Sequence, residues 1–443
     1  MKNSGETWVL ACILTLWLLP VSPVSLQGQA DWDSYLEPSA IEWSEEEPGE
    51  WVDDLKGHRF VLLGESTHGT SEFYLSRSLV SRQLMEERSH RFVVVEGDWD
   101  GMRLADRYVR GDSEFTSAQE VLHQLNCWPK WMWANEEFAE LLEWMRRQNE
   151  QRSGDQRLAV YGMDIYSWPA TYDRLRDWVQ ENEPGFLSAF ERRMRPLVRY
   201  REDPSRYSHA AWALATQGPE TVPRALKALR DKIESAELSE REQTYLFLEV
   251  ESVAAAERHL RQARLDNAKS WNARARHMKN TVVELAQLLP PEQGILVWAH
   301  NTHIGDARAT PMGAQGMVNI AHLMRERKDS GEVVLIGQTT GEGDFLAARQ
   351  WAGAREVFSH PDPIEGSLEA YLAEKFQEPV MVPFSLSARE APALPVIGHR
   401  AIGVVYQEQA PQQQYVPSNV PQRYDALVFF PQTRALAPLH EKE

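Results

Sequence analysis

The chain contains five short apolar runs whose length fits buried β-strands. Within each run, hydrophobic residues follow one another almost without interruption rather than alternating with polar ones. Such continuous runs are typical of parallel strands covered on both faces, because a half-exposed strand alternates. The runs that we predict to be strands are "RFVLLG" (59–64), "FVVVEG" (92–97), "RLAVYG" (157–162), "GILVWA" (294–299) and "EVVLIG" (332–337).

Helical patterns lie between the early strands. The segment "SEFYLSRSLVSRQLMEE" (71–87) follows the first run, and "NEEFAELLEWMRRQNE" (135–150) precedes the third. Strands that alternate with helices in this way build a sheet whose two faces are covered by the helices. The sequence therefore predicts an α/β fold with a central, largely parallel sheet flanked by helices.

The pattern changes between about residues 184 and 290. Long charged segments there carry apolar residues at helical spacing, as in "SEREQTYLFLEVESVAAAERHLRQARL" (239–265). We interpret this region as a helical insertion within the α/β domain. Strand-like runs return at "RAIGVVY" (400–406) and "DALVFF" (425–430). The Pro- and Gln-rich segment between these two runs is predicted to be a surface loop.

The first thirty residues have the character of a targeting segment. Lys2 precedes an apolar stretch from 8 to 19, which is shorter than the ~20 residues that cross a bilayer. Gly28 and Ala30 fit the small-residue rule for signal cleavage. We therefore expect residues 1–30 to be a signal peptide and residues 31–443 to form the catalytic domain. The protein would then be exported to the periplasm or the extracellular space; an uncleaved membrane anchor is the alternative.

Charge and cysteine content restrict the function further. The 443 residues carry 47 basic and 65 acidic side chains, a net charge of −18. So acidic a chain is not expected to bind nucleic acid, or a membrane beyond its export signal. Without the signal peptide, Cys127 is the remaining cysteine, which rules out an intrachain disulfide and a thiolate zinc cluster.

Polar side chains follow three of the predicted strands at the point where each strand ends. Glu65 and His68 follow the first run, Glu96 lies at the end of the second, and His300 and His303 follow the fourth. Adjacent strands lie ~4.8 Å apart, and ligands of open α/β sheets bind at the carboxyl ends of the strands. We therefore expect these five side chains to surround one cleft.

Several catalytic motifs are missing from the sequence. It contains no G-x-S-x-G nucleophile elbow, no P-loop and no H-E-x-x-H helix. Because no serine or cysteine nucleophile is indicated, a water molecule activated by a side chain is the simplest nucleophile.

Seven blocks of the sequence together resemble the erythromycin esterase family. The most specific are Gly-Glu-x-x-His-Gly in "GESTHGTSEF" and Ala-His-Asn-x-His in "VWAHNTHI", and the order of the blocks fits from about Glu42 to Phe430. The other blocks are "VVVEGD", "WMWANEEFAELLEWMRRQN", "YGMDIYS", "RARHMKN" and "RAIGVVY". The resemblance implies hydrolysis of a macrolide lactone, without metal or other cofactor, by water that a histidine activates. It places these residues in the site: Glu65, His68, Arg77, Glu96, His300 and His303.

Physical chemistry assigns a role to each of these residues. His68 is the best general base, because a neutral imidazole titrates near working pH. Glu65 is placed to orient it, as the acid of a catalytic triad does. An oxyanion needs donors or positive charge, for which the candidates are His300, His303 and Arg77. Glu96 would position the water or balance the charge of Arg77. The alternative role for Arg77 is a surface ion pair.

Three closely spaced tryptophans are candidates for substrate binding. Trp128, Trp131 and Trp133 could form the wall of an apolar cleft for a small-molecule ester or lactone, or they could pack in the core between helices.

Two other functions use the same residues. In a metal-dependent hydrolase, Zn²⁺ or Mn²⁺ would be held by Glu65, His68, Glu96, His300 and His303. A non-catalytic exported protein would use the cleft to hold a ligand intact.

Overall fold

The structure, a computed structural model, describes residues 26–44, 49–213, 221–327, 330–386 and 390–439. The predicted signal peptide lies outside these residues, apart from positions 26–30, which belong to the first helix.

The described strands form one large sheet and one small sheet. Their bounds are β1 (Ile41–Glu42), β2 (Phe60–Leu63), β3 (His90–Asp98), β4 (Ala159–Asp164), β5 (Gly294–Trp298), β6 (Val333–Ala348), β7 (Arg355–Ser359), β8 (Val380–Pro383), β9 (Ile397–Arg400), β10 (Tyr415–Ser418) and β11 (Ala426–Thr433). The large sheet has nine strands in the order β1-β8-β11-β6-β2-β5-β3-β4, with β7 paired to β6, and β9 pairs with β10 in the small sheet.

The centre of the large sheet is parallel. β2 pairs in parallel with β5 on one side and with β6 on the other, and β5 pairs in parallel with β3. Every residue of β2, β3 and β5 is buried, which is the physical reason for their continuous apolar sequences. Antiparallel pairing occurs towards one edge, between β8 and its neighbours β1 and β11. The prediction of an α/β fold with a largely parallel sheet is confirmed.

The described helices connect these strands. Their bounds are α1 (Leu26–Ser39), α2 (Ser71–Glu86), α3 (Trp99–Arg110), α4 (Ala118–Leu122), α5 (Glu136–Asn149), α6 (Trp168–Asn182), α7 (Pro184–Val198), α8 (Pro204–Ala213), α9 (Thr221–Ser235), α10 (Glu240–Gln262), α11 (Asn267–Gln287), α12 (Asn301–Ile304), α13 (Pro311–Ala314), α14 (Ile320–Arg325), α15 (Leu368–Lys375) and α16 (Val420–Arg423). Helix α5 shows why the local sequence is helical: its N-cap Asn135 accepts a hydrogen bond from the Phe138 amide at 2.7 Å. No described helix has the length and apolarity that a membrane crossing requires.

The described chain divides into two compact units. The first comprises residues 98–100 and 163–288 and is built from α6 to α11. Its core is formed by the apolar faces of these helices, with Phe190, Leu226 and Val253 fully buried. The second unit comprises the remaining described residues and contains almost the whole large sheet. Its core includes Val61, Val95 and Trp298.

Two segments differ from the sequence prediction. The run 400–406 is not a strand beyond Arg400; its apolar residues pack through isolated contacts, such as the hydrogen bond from the Ala348 amide to the Val404 carbonyl at 2.9 Å. The Pro- and Gln-rich segment is not a simple loop, because it contains β10 and α16. In the run 400–406 the hydrophobic pattern indicates burial, which does not require a strand ladder.

Candidate active site

Three neighbouring strands deliver the predicted polar residues to one edge of the sheet. Glu65 and His68 follow β2, His300 and His303 follow β5, and Glu96 lies near the end of β3. Because β5 lies between β2 and β3, the three strand ends are adjacent. The structure therefore brings all five side chains together, and each is at least nine-tenths buried.

His68 and Glu65 form a hydrogen-bonded pair. The distance between His68 Nδ1 and Glu65 Oε1 is 2.8 Å. An ionised carboxylate only accepts hydrogen bonds, so we assign the proton of the neutral imidazole to Nδ1. The other nitrogen, Nε2, then carries the free lone pair, and it makes no hydrogen bond to any part of the chain that the structure describes.

Arg77 holds the far side of Glu65. Its Nη2 lies 2.7 Å from Glu65 Oε2, and its Nε donates a hydrogen bond to the Phe73 carbonyl at 3.1 Å. The guanidinium lies between the rings of Tyr74 and Trp298, 4.3 and 4.8 Å from their centroids. Arg77 is fully buried, so it is not the surface ion pair that we considered. Its position fits support of Glu65 and leaves it no access to a substrate oxyanion.

The surroundings of His68 favour its protonated form. Burial lowers the pKa of the imidazole, but the hydrogen bond and charge of Glu65, with the charge of Glu96, outweigh burial. The pKa of His68 therefore lies above its ordinary value. A base of this kind accepts a proton more readily than a free histidine does, provided that the pH is high enough for it to start neutral.

His300 is the ring next to His68, and it has the opposite character. The two ring centroids are 4.8 Å apart. The Thr302 amide donates to His300 Nδ1 at 3.2 Å, so the proton of His300 lies on Nε2, which donates to the Ser66 carbonyl at 3.2 Å. Burial and the nearby His68 hold the pKa of His300 well below its ordinary value. His300 is therefore a neutral donor at working pH.

Glu96 connects the two histidines that follow β5. Its Oε2 accepts a hydrogen bond from the His300 amide at 2.9 Å, and its Oε1 lies 3.1 Å from His303 Nε2. Glu96 does not balance Arg77, which pairs with Glu65 instead. Its place in the site is to fix the backbone and the side chain of the His300–His303 segment.

Two glycines allow the close backbone approach at this edge. A Cβ atom on Gly64 would overlap the side-chain oxygen of Asn301. The side-chain nitrogen Nδ2 of Asn301 donates to the Gln338 carbonyl at 2.8 Å and fixes this side chain. A Cβ atom on Gly69 would overlap the Leu346 carbonyl of β6. The turn that carries Glu65 and His68 is therefore clamped between its neighbours.

The three candidate tryptophans have different surroundings. Trp133 is buried against Tyr74 and Phe138, and its indole donates to the Glu96 carbonyl at 3.1 Å, so it supports the site from the core. Trp128 and Trp131 instead line a cavity of about 180 Å³. The structure thus separates one tryptophan from the two that can contact a ligand.

Two aspartates lie at the ends of β3 and β4. Asp164 forms a two-pronged ion pair with Arg274, with distances of 2.8 and 2.5 Å. Asp98 accepts a hydrogen bond from the Ser167 amide at 3.0 Å. Burial and the charge of Asp164 raise the pKa of Asp98 to about 7. One of these two carboxyl groups therefore keeps its proton up to neutral pH.

The residues that hold the candidate site side chains in place were not predicted from the sequence. Tyr74 and Trp298 enclose Arg77, and Thr302 sets the proton position of His300. The helical spacing of three residues between Tyr74 and Arg77 was a usable signal for the first of these contacts. Among the described residues, no group of three or more His, Cys, Asp or Glu side chains is arranged to hold a metal ion.

Comparison with known proteins places the chain in a family. A model of the erythromycin esterase family matches residues 85–433. This range contains Glu96, His300 and His303 and begins after the turn with Glu65 and His68. The Bacillus subtilis (strain 168) protein YbfO, named provisionally as a hydrolase, is 24% identical over 354 residues, which are 74% of this chain and 75% of YbfO.

Solved structures share the fold. A protein described as a succinoglycan biosynthesis protein superposes with a TM-score of 0.74 at 16% identity, covering 94% of this chain and 100% of that one. A Bacillus cereus protein gives 0.72 at 17% identity, with coverage of 94% and 100%. A mutant of the erythromycin esterase EreC in its open conformation gives 0.60 at 15% identity, with coverage of 88% and 94%.

Proposed function

Since the chain belongs to the erythromycin esterase family, we propose that it is a hydrolase that cleaves a carboxylic ester or lactone with a water molecule activated by His68. The observation that carries this proposal is the His68–Glu65 pair, in which Nδ1 is engaged at 2.8 Å and Nε2 is left to accept a proton. The ester class follows from the family, and the hydrolase name of YbfO agrees with it.

The reaction begins when His68 Nε2 takes a proton from water as the oxygen attacks the carbonyl carbon. The imidazolium that forms lies against the Glu65 carboxylate, which stabilises it as the acid of a triad does. Arg77 holds that carboxylate in place through an ion pair at 2.7 Å. His68 then returns the proton to the leaving alcohol oxygen, which releases the acid and the alcohol.

The tetrahedral intermediate needs a hydrogen-bond donor for its oxyanion. His300 is the best candidate, because it is neutral, adjacent to His68 and protonated on Nε2. Its bond to the Ser66 carbonyl, at 3.2 Å, is long enough to be exchanged for a shorter bond to an oxyanion. His303, held by Glu96, supports the segment that carries His300.

The substitution His68→Ala tests the base. Turnover of p-nitrophenyl acetate is expected to fall by about 10²- to 10⁴-fold, which is the usual contribution of a general base. His322→Ala is the matched control, because His322 pairs with Glu326 on α14 and takes no part in the proposed reaction. Activity of His68→Ala near that of the parent would remove the base assignment.

The substrate is found by a screen of macrolides, simple lactones and aliphatic and aromatic esters. Hydrolysis of at least one ester class supports the proposal. Recovery of every ligand intact after long incubation would instead favour a ligand-binding protein.

We also propose that residues 1–30 export the protein. A reporter fused after Ala30 should appear in the periplasm or the medium. Deletion of residues 2–30 should leave the protein in the cytoplasm, and export that survives this deletion would contradict the proposal.

A further inference from the structure

The cavity beside Trp128 has rigid aromatic walls. Trp128 and Trp131 line it from one chain segment. From another segment it is lined by Gly353 and Ala354, in the β6–β7 turn, and by Arg355, the first residue of β7. The Trp128 indole donates to the Gly353 carbonyl at 3.1 Å, and its ring lies 4.5 Å from that of Trp351. These contacts fix the wall before any ligand enters. We call this cavity the Trp128 pocket; its volume of about 180 Å³ suits one ring and a small substituent.

The lining of the Trp128 pocket is positively charged. It includes Lys130, Arg355 and His123, and it contains no Asp or Glu. This is unusual on a chain whose net charge is −18. Arg349, in the same hairpin, is neutralised by Glu356 and Glu408.

The two cations of the pocket have no carboxylate partner in the part of the chain that the structure describes. Neither Lys130 nor Arg355 forms an ion pair there. Lys130 donates a hydrogen bond to the His123 carbonyl at 2.8 Å, which leaves its charge available. Arg349, in the same hairpin, does have carboxylate partners, so the lack of a partner is specific to Arg355.

The indole walls and the two cations belong to one pocket. Together they complement an apolar group that carries an acceptor with negative charge.

We propose that the Trp128 pocket binds a small organic anion, a carboxylate attached to an apolar group. The apolar part packs against the indoles, and the carboxylate accepts hydrogen bonds from Lys130 and Arg355. Binding of this anion does not depend on the proposed ester hydrolysis.

The Trp128 pocket shares a chain segment with the candidate active site. The residue after Trp131, Met132, accepts a hydrogen bond through its carbonyl from the Tyr74 hydroxyl at 2.7 Å, and Tyr74 packs against Arg77. The next residue, Trp133, donates to the Glu96 carbonyl. The bound anion is therefore either a part of the hydrolysed substrate or a separate ligand next to the site. In both cases it is a carboxylate attached to an apolar group.

Binding is measured by ¹⁹F NMR with two probes that differ only in charge, 4-fluorophenylacetate and its neutral amide. The acid is expected to bind about tenfold more tightly than the amide. Arg355→Gln should weaken binding of the acid by about three- to tenfold and leave binding of the amide unchanged. Lys130→Gln should do the same. Because Arg355 is exposed, its substitution does not threaten the fold.

Three controls separate this proposal from other effects. Arg349→Gln removes a paired arginine from the same hairpin and should not change binding of the acid. His68→Ala should bind both probes like the parent, so a failed hydrolysis proposal leaves this test intact. In an ester assay, competitive inhibition by the acid assigns the pocket to the substrate, and non-competitive inhibition assigns it to a separate ligand.

Equal affinity for acid and amide would overturn the proposal. Acid binding that survives both Arg355→Gln and Lys130→Gln would overturn it as well. So would the absence of acid binding at millimolar concentration.

Discussion

The substitution Glu65→Gln tests how the site makes His68 a base. Glu65 accepts from His68 Nδ1 at 2.8 Å and lies 2.7 Å from Arg77 Nη2. Glutamine keeps the shape of the side chain but offers one oxygen and one NH₂ group to these two neighbours. The charge of Arg77 draws the oxygen, so the NH₂ group would face His68. His68 Nδ1 must then accept, which moves the imidazole proton to Nε2 and blocks the proposed base.

Two effects on the rate follow from this exchange. The loss of a correctly protonated base is expected to reduce kcat/KM by about 10²- to 10⁴-fold. The pKa of His68 is now raised by Glu65 against the opposing effect of burial, so without that charge it falls below its ordinary value of 6.5. Because the base must be neutral, the acid limb of the remaining activity moves to lower pH.

The assay is hydrolysis of p-nitrophenyl acetate from about pH 5 to about pH 9. Glu369→Gln is the matched control, since Glu369 is also fully buried and lies 2.7 Å from a histidine nitrogen, His399 Nδ1. This control should leave the acid limb of the profile where it is in the parent. A Glu65→Gln variant with a rate within about threefold of the parent, or with an unmoved acid limb, would refute the assignment of the triad-like pair.

Four further predictions concern stability and metal dependence. The pKa of Asp98 is raised from 3.8 to about 7 in the folded chain, so between these values the folded chain holds a proton that the unfolded chain releases, and stability falls as the pH rises through this window. In thermal and urea unfolding, Asp98→Asn should stabilise the protein by about 2–4 kcal/mol at pH values above the folded pKa and have little effect below pH ~4. Equal effects at both pH values would contradict the shift. Arg77→Met removes the arginine partner of the buried Glu65 charge and leaves it only the hydrogen bond from His68. It should cost about 3–5 kcal/mol in urea unfolding, part of which the double variant with Glu65→Gln should recover; no recovery would count against the pair. Gly69→Ala pushes a Cβ into the Leu346 carbonyl and should destabilise by about 1–3 kcal/mol, seen as a lower Tm with a soluble product; an unchanged Tm would show that the backbone gives way freely. Incubation with a strong chelator should leave ester hydrolysis unchanged, because the oxygens of Glu65 are engaged by Arg77 and a histidine; loss of activity that added metal restores would support the metal-dependent alternative.

Much of the sheet and the core of the site could be predicted from the sequence. Strands buried on both faces leave continuous apolar runs, and β2, β3 and β5 were found in this way. Since the carboxyl ends of neighbouring parallel strands meet, Glu65, Glu96 and His300 could be expected together without knowledge of the strand order.

The partners of individual side chains could not be predicted. Arg77 is nine residues after His68 on a helix that carries several polar side chains, and nothing local shows that its guanidinium reaches Glu65. The spacing of the tryptophans 128, 131 and 133 gave no indication that Trp133 lies in the core while the others line a cavity. These choices depend on which elements pack on each side of a segment, and that is decided by tertiary contacts far away in the sequence.

The strand β10 was missed for a different reason. Tyr415 and Val416 are buried, but proline and glutamine around them dilute the hydrophobic pattern. The strand exists because its backbone pairs with β9, with Tyr415 opposite Arg400. A four-residue strand gains its stability from that partner, which a local pattern does not record.

The position of β11 affects how the polypeptide can be made. This strand ends at Thr433, and it lies inside the large sheet, with β6 on one side and β8 on the other. Until residue 433 has left the ribosome, the nascent chain exposes an apolar edge of β6, and such edges are templates for aggregation. Pairings between segments so distant in sequence also form slowly. Since β1 and β8 join the sheet through β11, co-translational folding of this sheet stops at β6 with these three strands still unattached. A chaperone that shields the β6 edge until synthesis is complete would raise the yield of native protein.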